Sequence, residues 1–233
     1  MNTTRRQVDA TRRQVLGLGL GVLAGLALPA LPRRALAVAL DPAPIGFRIL
    51  RNGTDIGRYA VSFSGQAPDV TATTELDVRV RFAFITVLRY EHRSVERWQD
   101  GALVSLHSRT ESNGHLREVT SEPHPAGLKI FGTKRRITVV PPDTLTSNSI
   151  WHPAFVRQNE IIDTHSGTLL DISAEAEGME RVRLLGGETP ARLYRVYMPR
   201  FDKFSVFLGY DDQGHWIGGL AQSPDDRFLF EPV

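Results

Sequence analysis

The sequence predicts a mainly β fold: a curled antiparallel sheet or half-open β-barrel, with one short helical segment covering the concave face. Three observations carry that expectation. Turn-forming pairs recur at short intervals, at Asn52-Gly53, Asp100-Gly101, Asn113-Gly114, Gly186-Gly187 and Gln213-Gly214. Between them apolar and polar residues alternate with a period of two, which marks strands with one wet and one buried face. A single stretch, residues 141–167, breaks that rhythm and spaces its apolar residues for a helix.

The chain opens with a leader rather than with the fold. Thr11-Arg12-Arg13-Gln14-Val15-Leu16 has the twin-arginine pattern: a polar residue, the arginine pair, any residue, then two apolar ones. An uncharged run diluted by Gly17, Gly19, Gly21 and Gly25 follows, then Arg33-Arg34 and two overlapping small-x-small cleavage sites ending at Ala37 and Ala39. That order is the layout of a secretory signal, and its arginine pair is an address read by the export machinery. Residues 1–39 are therefore expected to be a signal peptide, and residues 40–233 one β-rich domain in the periplasm. The apolar run is short for a bilayer crossing and ends in a cleavage site, so no stable membrane anchor is expected after processing.

The strands follow in order. Residues 47–50 pair with 56–63 across Asn52-Gly53, whose type supplies the positive φ angles of a two-residue hairpin. Val70, Ala72, Thr74, Leu76, Val78 and Val80 alternate with polar neighbours. Residues 82–87 read as a loop or bend. Residues 89–98 pair with 103–111 across Asp100-Gly101. Later strands fall at 117–121, 127–131, 135–140, 181–185, 192–197, 204–210, 215–221 and 228–230. In the stretch that breaks the pattern, Asn148 or Ser149 is placed to cap a helix over 150–158. Pro153 is tolerable there only in the first turn, and Trp151, Phe155 and Val156 would share a face.

Composition removes several functions. The chain has no cysteine, which excludes disulfides, thiolate metal sites, a cysteine nucleophile and a lipid-modified cysteine. Its formal charge is +2, but residues 1–39 hold six arginines and one aspartate, a share of +5, which leaves the remainder at −3. A nucleic-acid partner needs a basic surface. The densest basic run left, Lys134-Arg135-Arg136, reads equally well as a solvated strand end.

The chemistry-bearing residues give one weak constellation. Seven histidines, at 92, 107, 115, 124, 152, 165 and 215, show no helical ligand spacing. His92 and His107 lie on two strands of one hairpin and could approach each other, with Glu91, Glu96 or Glu111 near, as a hydrolytic or metal-assisted site. The alternative is two hydrogen-bonded sheet histidines. No Gly-x-Ser-x-Gly is present. Asp211-Asp212 and Asp225-Asp226 read as solvated turn acids. The aromatics, chiefly Trp98, Trp151, Phe155, Tyr210 and Trp216, either fill the core or line a cavity between sheet and helix that takes an apolar ligand.

Several ordered pieces carry a resemblance. They are Phe47-x4-Asn52-Gly53-x2-Ile56-Gly57, Tyr90-x-His92-x3-Glu96-x-Trp98-x2-Gly101-x-Leu103, Asn113-Gly114, Trp151-x2-Ala154-x3-Gln158, His165-Ser166-Gly167, and Tyr210-Asp211-Asp212-x-Gly214-x-Trp216. Together they resemble a family of uncharacterised exported bacterial proteins classed as a domain of unknown function. The resemblance implies a layout similar to the outer-membrane lipoprotein carriers (LolA/LolB-like), a half barrel wrapped around a helix, and supplies no catalytic residues. The expected function is a periplasmic carrier or chaperone, without cofactor, that binds a lipid or other apolar ligand. The rivals are an enzyme centred on His92/His107 and a structural envelope protein with no ligand.

Overall fold

The computed structural model describes residues 42–82, 85–184 and 187–233, all within one compact unit. The export pair Arg12 and Arg13, the cleavage residues Ala37 and Ala39, Phe84 and Gly186 lie outside the described residues. Among those described, no helix is long and apolar enough to cross a membrane.

Fifteen strands are found among the described residues. The first eight are β1 (Ile45–Arg51), β2 (Thr54–Gln66), β3 (Asp69–Phe82), β4 (Ile85–Gln99), β5 (Ala102–Ser112), β6 (His115–His124), β7 (Gly127–Phe131) and β8 (Ile137–Val140). After a long excursion come β9 (Glu160–Ile162), β10 (Leu169–Asp171), β11 (Ser173–Leu184), β12 (Gly187–Tyr197), β13 (Ser205–Tyr210), β14 (Trp216–Gln222) and β15 (Arg227–Pro232). Thirteen form one antiparallel sheet in the order β11-β12-β13-β14-β15-β1-β2-β3-β4-β5-β6-β7-β8, while β9 and β10 pair separately. The sheet is not closed: β11 and β8 end it on either side.

Hairpin chemistry sets most of this register. Asn52 and Gly53 sit at φ +51° and +83°, the pair of left-handed conformations that matches the twist of β1 and β2. Asp100-Gly101 and Asn113-Gly114 repeat the geometry.

The sheet curls around residues 141–172, and two adjacent residues demonstrate it. The Ile150 carbonyl accepts the Tyr210 hydroxyl of β13 at 2.8 Å. The next side chain, Trp151, packs edge-on against Trp98 of β4 with ring centroids 5.5 Å apart. β13 and β4 stand six strands apart in the sheet order, about 29 Å if the sheet were flat. Neighbouring residues can reach both only if the sheet wraps around them.

The covering segment is helical only as two single 3-10 turns, Ser149–Trp151 and Phe155–Arg157. Pro153 explains the break. It lacks an N–H and disfavours helical backbone in the preceding residue, and His152 is indeed extended, at φ −79° and ψ 130°. Neither Asn148 nor Ser149 caps a helix; both side chains turn toward the sheet. The core is the space between the concave face and this segment, filled by Phe47, Tyr59, Val61, Trp98, Trp151 and Trp216 among others.

Candidate functional site

The concave face is not uniformly apolar. Along β4, His92, Ser94 and Glu96 share the parity of Trp98 and so face inward, and all four are buried. Thr74 of β3 and Ser108 and Thr110 of β5 join them. These polar groups are matched by the covering segment. Thr146 and Ser149 donate their hydroxyls to Glu96 Oε1 and Oε2 at 2.5 and 3.2 Å. The Asn148 amide donates to Ser94 Oγ and to His92 Nε2, each at 2.8 Å. The opposite ring nitrogen of His92 donates to Thr110 Oγ1 at 2.7 Å, which fixes the tautomer. Ser108 Oγ donates to the Thr164 carbonyl at 2.5 Å. Tyr59 donates to the Asn148 carbonyl at 3.3 Å.

The electrostatics follow from burial. Glu96 is fully enclosed, and loss of water pushes its carboxyl up to about 7, against the opposing pull of the Thr146 and Ser149 hydroxyls. No ion pair among the described residues includes it. Burial lowers His92 to about 4, with the charge of His165 adding to the effect. His152 falls to about 4 for the same reason, with Arg157 adding to it. Both nitrogens of His92 are hydrogen-bonded, and Glu96 is fully enclosed. This network fastens the segment to the sheet.

A joint His92/His107 site does not form. The Asp100-Gly101 hairpin starts in simple register, with Trp98 opposite Leu103, but Arg97 already faces Ser105. Val104 is thus an extra residue in β5, a bulge that shifts all later pairing by one. His92 then faces Thr110 on the inner face, and His107 faces Val95 on the outer face. His107 is exposed on the outer face, while His92 is buried inside. No cluster of three His, Asp or Glu suited to a metal occurs among the described residues. Of the turn acids, Asp212 and Asp225 are exposed, whereas Asp211 and Asp226 are half-buried and engaged: Asp211 accepts from the Gln213 and His215 amides and pairs with His215, and Asp226 pairs with Arg51 at 2.7 Å.

The five aromatic candidates converge on the interior. Trp98 and Trp151 pack on each other, with Phe63 against Trp151 and His152 stacked on Trp98. Trp216 packs on Phe47 at 4.5 Å and on Tyr59. Phe155 is buried in the same core. Among the described residues, Trp151 Nε1 and His152 Nε2 are buried without a hydrogen-bond partner, side by side. Tyr210 differs from the rest because it also borders an open cleft of about 330 Å³. Pro153, Val156, Met179 and Tyr194 form the cleft's apolar wall, and Arg192 and the 211–214 turn form its rim. Tyr194 and Tyr210 meet edge to face at 5.8 Å.

Sequence reasoning missed Glu96 as an anchor and Asn148 and Ser149 as its counterparts. The signal was there: polar residues at the parity of Trp98, and the hydroxyl-rich run Thr144-Leu145-Thr146-Ser147-Asn148-Ser149 entering the core.

Known proteins share the architecture more than the sequence. A crystal structure of a β-barrel-like protein of domain of unknown function DUF1849 from Brucella abortus superposes with a TM-score of 0.57 at 11% identity, covering 84% of this chain and 97% of that one. At that identity the likeness is one of fold alone. No curated protein matches the sequence. The family model of a domain of unknown function, DUF6134, matches residues 47–232, and the chain belongs to that family.

Proposed function

We propose that the protein is an exported periplasmic binding protein without catalytic activity, which takes an apolar or amphipathic ligand such as a lipid acyl chain at the cleft beside Tyr210. One observation carries the reading. Met179 is 59% exposed on the edge strand β11, yet lines the same cleft as Val156, Pro153 and the Tyr194–Tyr210 pair. An exposed methionine beside two tyrosines adds little to folding, while flexible sulfur-bearing side chains suit adaptable apolar contacts. A volume of about 330 Å³ is at the lower end of small-molecule sites, room for part of an acyl chain. Trp98, Trp151, Phe155 and Trp216 belong to the packed core and do not line the cleft. The reading uses no cofactor and no nucleic acid.

The leader supports the location. Arg12-Arg13 within the twin-arginine pattern makes the export machinery the partner during transit, with release at Ala37 or Ala39 into a single domain from residue 40. Changing Arg12 and Arg13 together to lysine is expected to leave precursor in the cytoplasm on fractionation; normal processed protein from the double variant would contradict the assignment.

Titration of delipidated protein with a fluorescent fatty-acid analogue tests the binding. Wild type should bind saturably. Met179→Asp, at an exposed position with little bearing on stability, should weaken binding about tenfold by placing a charge in the apolar wall. Absence of saturable binding, or equal affinity in the variant, would leave the structural-protein reading in its place.

A further inference from the structure

A second pocket, of opposite chemistry, is made where two loops cross. Gly132 and Gly167 touch backbone to backbone. A Cβ on Gly132 would lie 2.4 Å from the Ser166 carbonyl oxygen, and one on Gly167 would lie 2.5 Å from Gly132 Cα. Only glycine fits at either place. Thr133 locks the crossing by donating both its N–H and its hydroxyl to the Ser166 carbonyl, at 2.9 and 3.3 Å. The contact sets the turn before β8 against the 163–168 turn that joins β9 to β10. Lys134 is held there at φ +58° and ψ 31°, a left-handed conformation uncommon outside glycine, asparagine and aspartate.

The crossing gathers four cations and a neutral histidine from four elements around a pocket of about 450 Å³. Arg117 comes from β6, Lys134 and Arg136 from the turn before β8, His165 from the 163–168 turn, and Arg200 from the 3-10 turn Pro199–Phe201. Thr133, Ser166 and Thr168 add hydroxyls. No carboxylate lines the pocket among the described residues. Asp163 stands behind it, 3.7 Å from Arg200, and already accepts from Ser166 Oγ at 2.6 Å and the His165 amide at 3.0 Å. Arg117 donates to His165 Nε2, so that histidine leaves the arginine's charge unneutralised.

Several arginines elsewhere on the sheet are paired: Arg79 with Asp77, Arg89 with Glu91, Arg93 with Glu75. Arg117, Lys134 and Arg136 enter no ion pair among the described residues. These three cations, gathered in a pocket that no carboxylate lines, repel one another, and the cost is removed when an oxyanion enters. Four cations exceed what one carboxylate neutralises, whereas a dianion with three acceptor oxygens uses guanidinium forks, an ammonium and hydroxyls together. We propose that this pocket binds a phosphomonoester group, either free or as the headgroup of an anionic lipid. The site is independent of the Tyr210 cleft.

The purified chain is titrated with inorganic phosphate by calorimetry, and its sedimentation is measured with phosphatidylcholine vesicles with and without phosphatidic acid. The test variant is Lys134→Asn with Arg136→Gln. Asparagine tolerates the left-handed turn, both positions are exposed, and an unchanged unfolding midpoint confirms the fold. Saturable phosphate binding that weakens tenfold or more in the variant identifies a free phosphate site. Binding only to vesicles containing phosphatidic acid, lost in the variant, identifies a headgroup site. Lys129→Gln, on the outer face against Phe131, serves as the control for bulk charge. Binding of neither probe, wild-type binding by the double variant, or an equal loss in the Lys129 variant would overturn the proposal.

Discussion

At Glu96 the sheet holds a carboxyl group away from water with two hydroxyls and no cation. Its pKa, about 7 in the fold against 4.5 outside it, makes a stability statement. Between those values the unfolded chain has released a proton that the folded chain keeps. The folded state therefore loses ground as pH rises through that window, and the stabilisation is complete only below 4.5. His92 and His152 act in the opposite sense: their pKa values fall to about 4, so their contribution is whole above 6.5 and lost as pH falls toward 4. Glu96→Gln isolates the first effect, because the histidines are common to both proteins. Urea denaturation below pH 4.5 and above pH 7 should show the variant gaining on wild type by on the order of 3 kcal/mol between the two conditions. A stability difference that is the same at both would mean that the Glu96 carboxyl titrates in the fold as it does in the unfolded chain.

Among the elements, what was legible followed local chemistry. Asn52-Gly53, Asp100-Gly101 and Asn113-Gly114 announced their hairpins because positive φ is a property of the pair itself. The alternation in residues 70–80 announced β3 because one face is wet. β9 and β10 were not legible: three residues each, Glu160–Ile162 and Leu169–Asp171, are too few to show a period. The bulge at Val104 was not legible either, since nothing in Leu103-Val104-Ser105 requires it, and that one residue decides which face His107 takes. The helix expected over 150–158 became two 3-10 turns because Pro153 breaks the backbone ladder, while Asn148 and Ser149 find stronger partners in Ser94, His92 and Glu96. A capping residue in sequence is also a hydrogen-bonding residue in space, and tertiary contacts chose between the two uses.

At the scale of the whole molecule, the half-open sheet encloses its own residues 141–172 where a half-barrel carrier would be expected to hold cargo. The sequence supports the curled sheet; the polar stripe His92, Ser94, Glu96 explains why the interior is filled from within, because a hydrocarbon ligand would leave those groups unpaired. The two binding sites proposed above accordingly lie outside that interior, at the cleft beside Tyr210 and at the Gly132–Gly167 crossing. Native-state hydrogen exchange tests this most directly. The Ser147 amide donates to Ile162, and the Ile162 amide to Leu145, each at 2.8 Å inside the core. Both should exchange as slowly as the amides of β4 and β5, opening only with global unfolding, and should stay slow when the fluorescent fatty-acid analogue is bound. Fast exchange at Ser147 and Ile162, or protection lost on adding the analogue, would show a segment that leaves the sheet to make room for cargo and would contradict a self-filled interior.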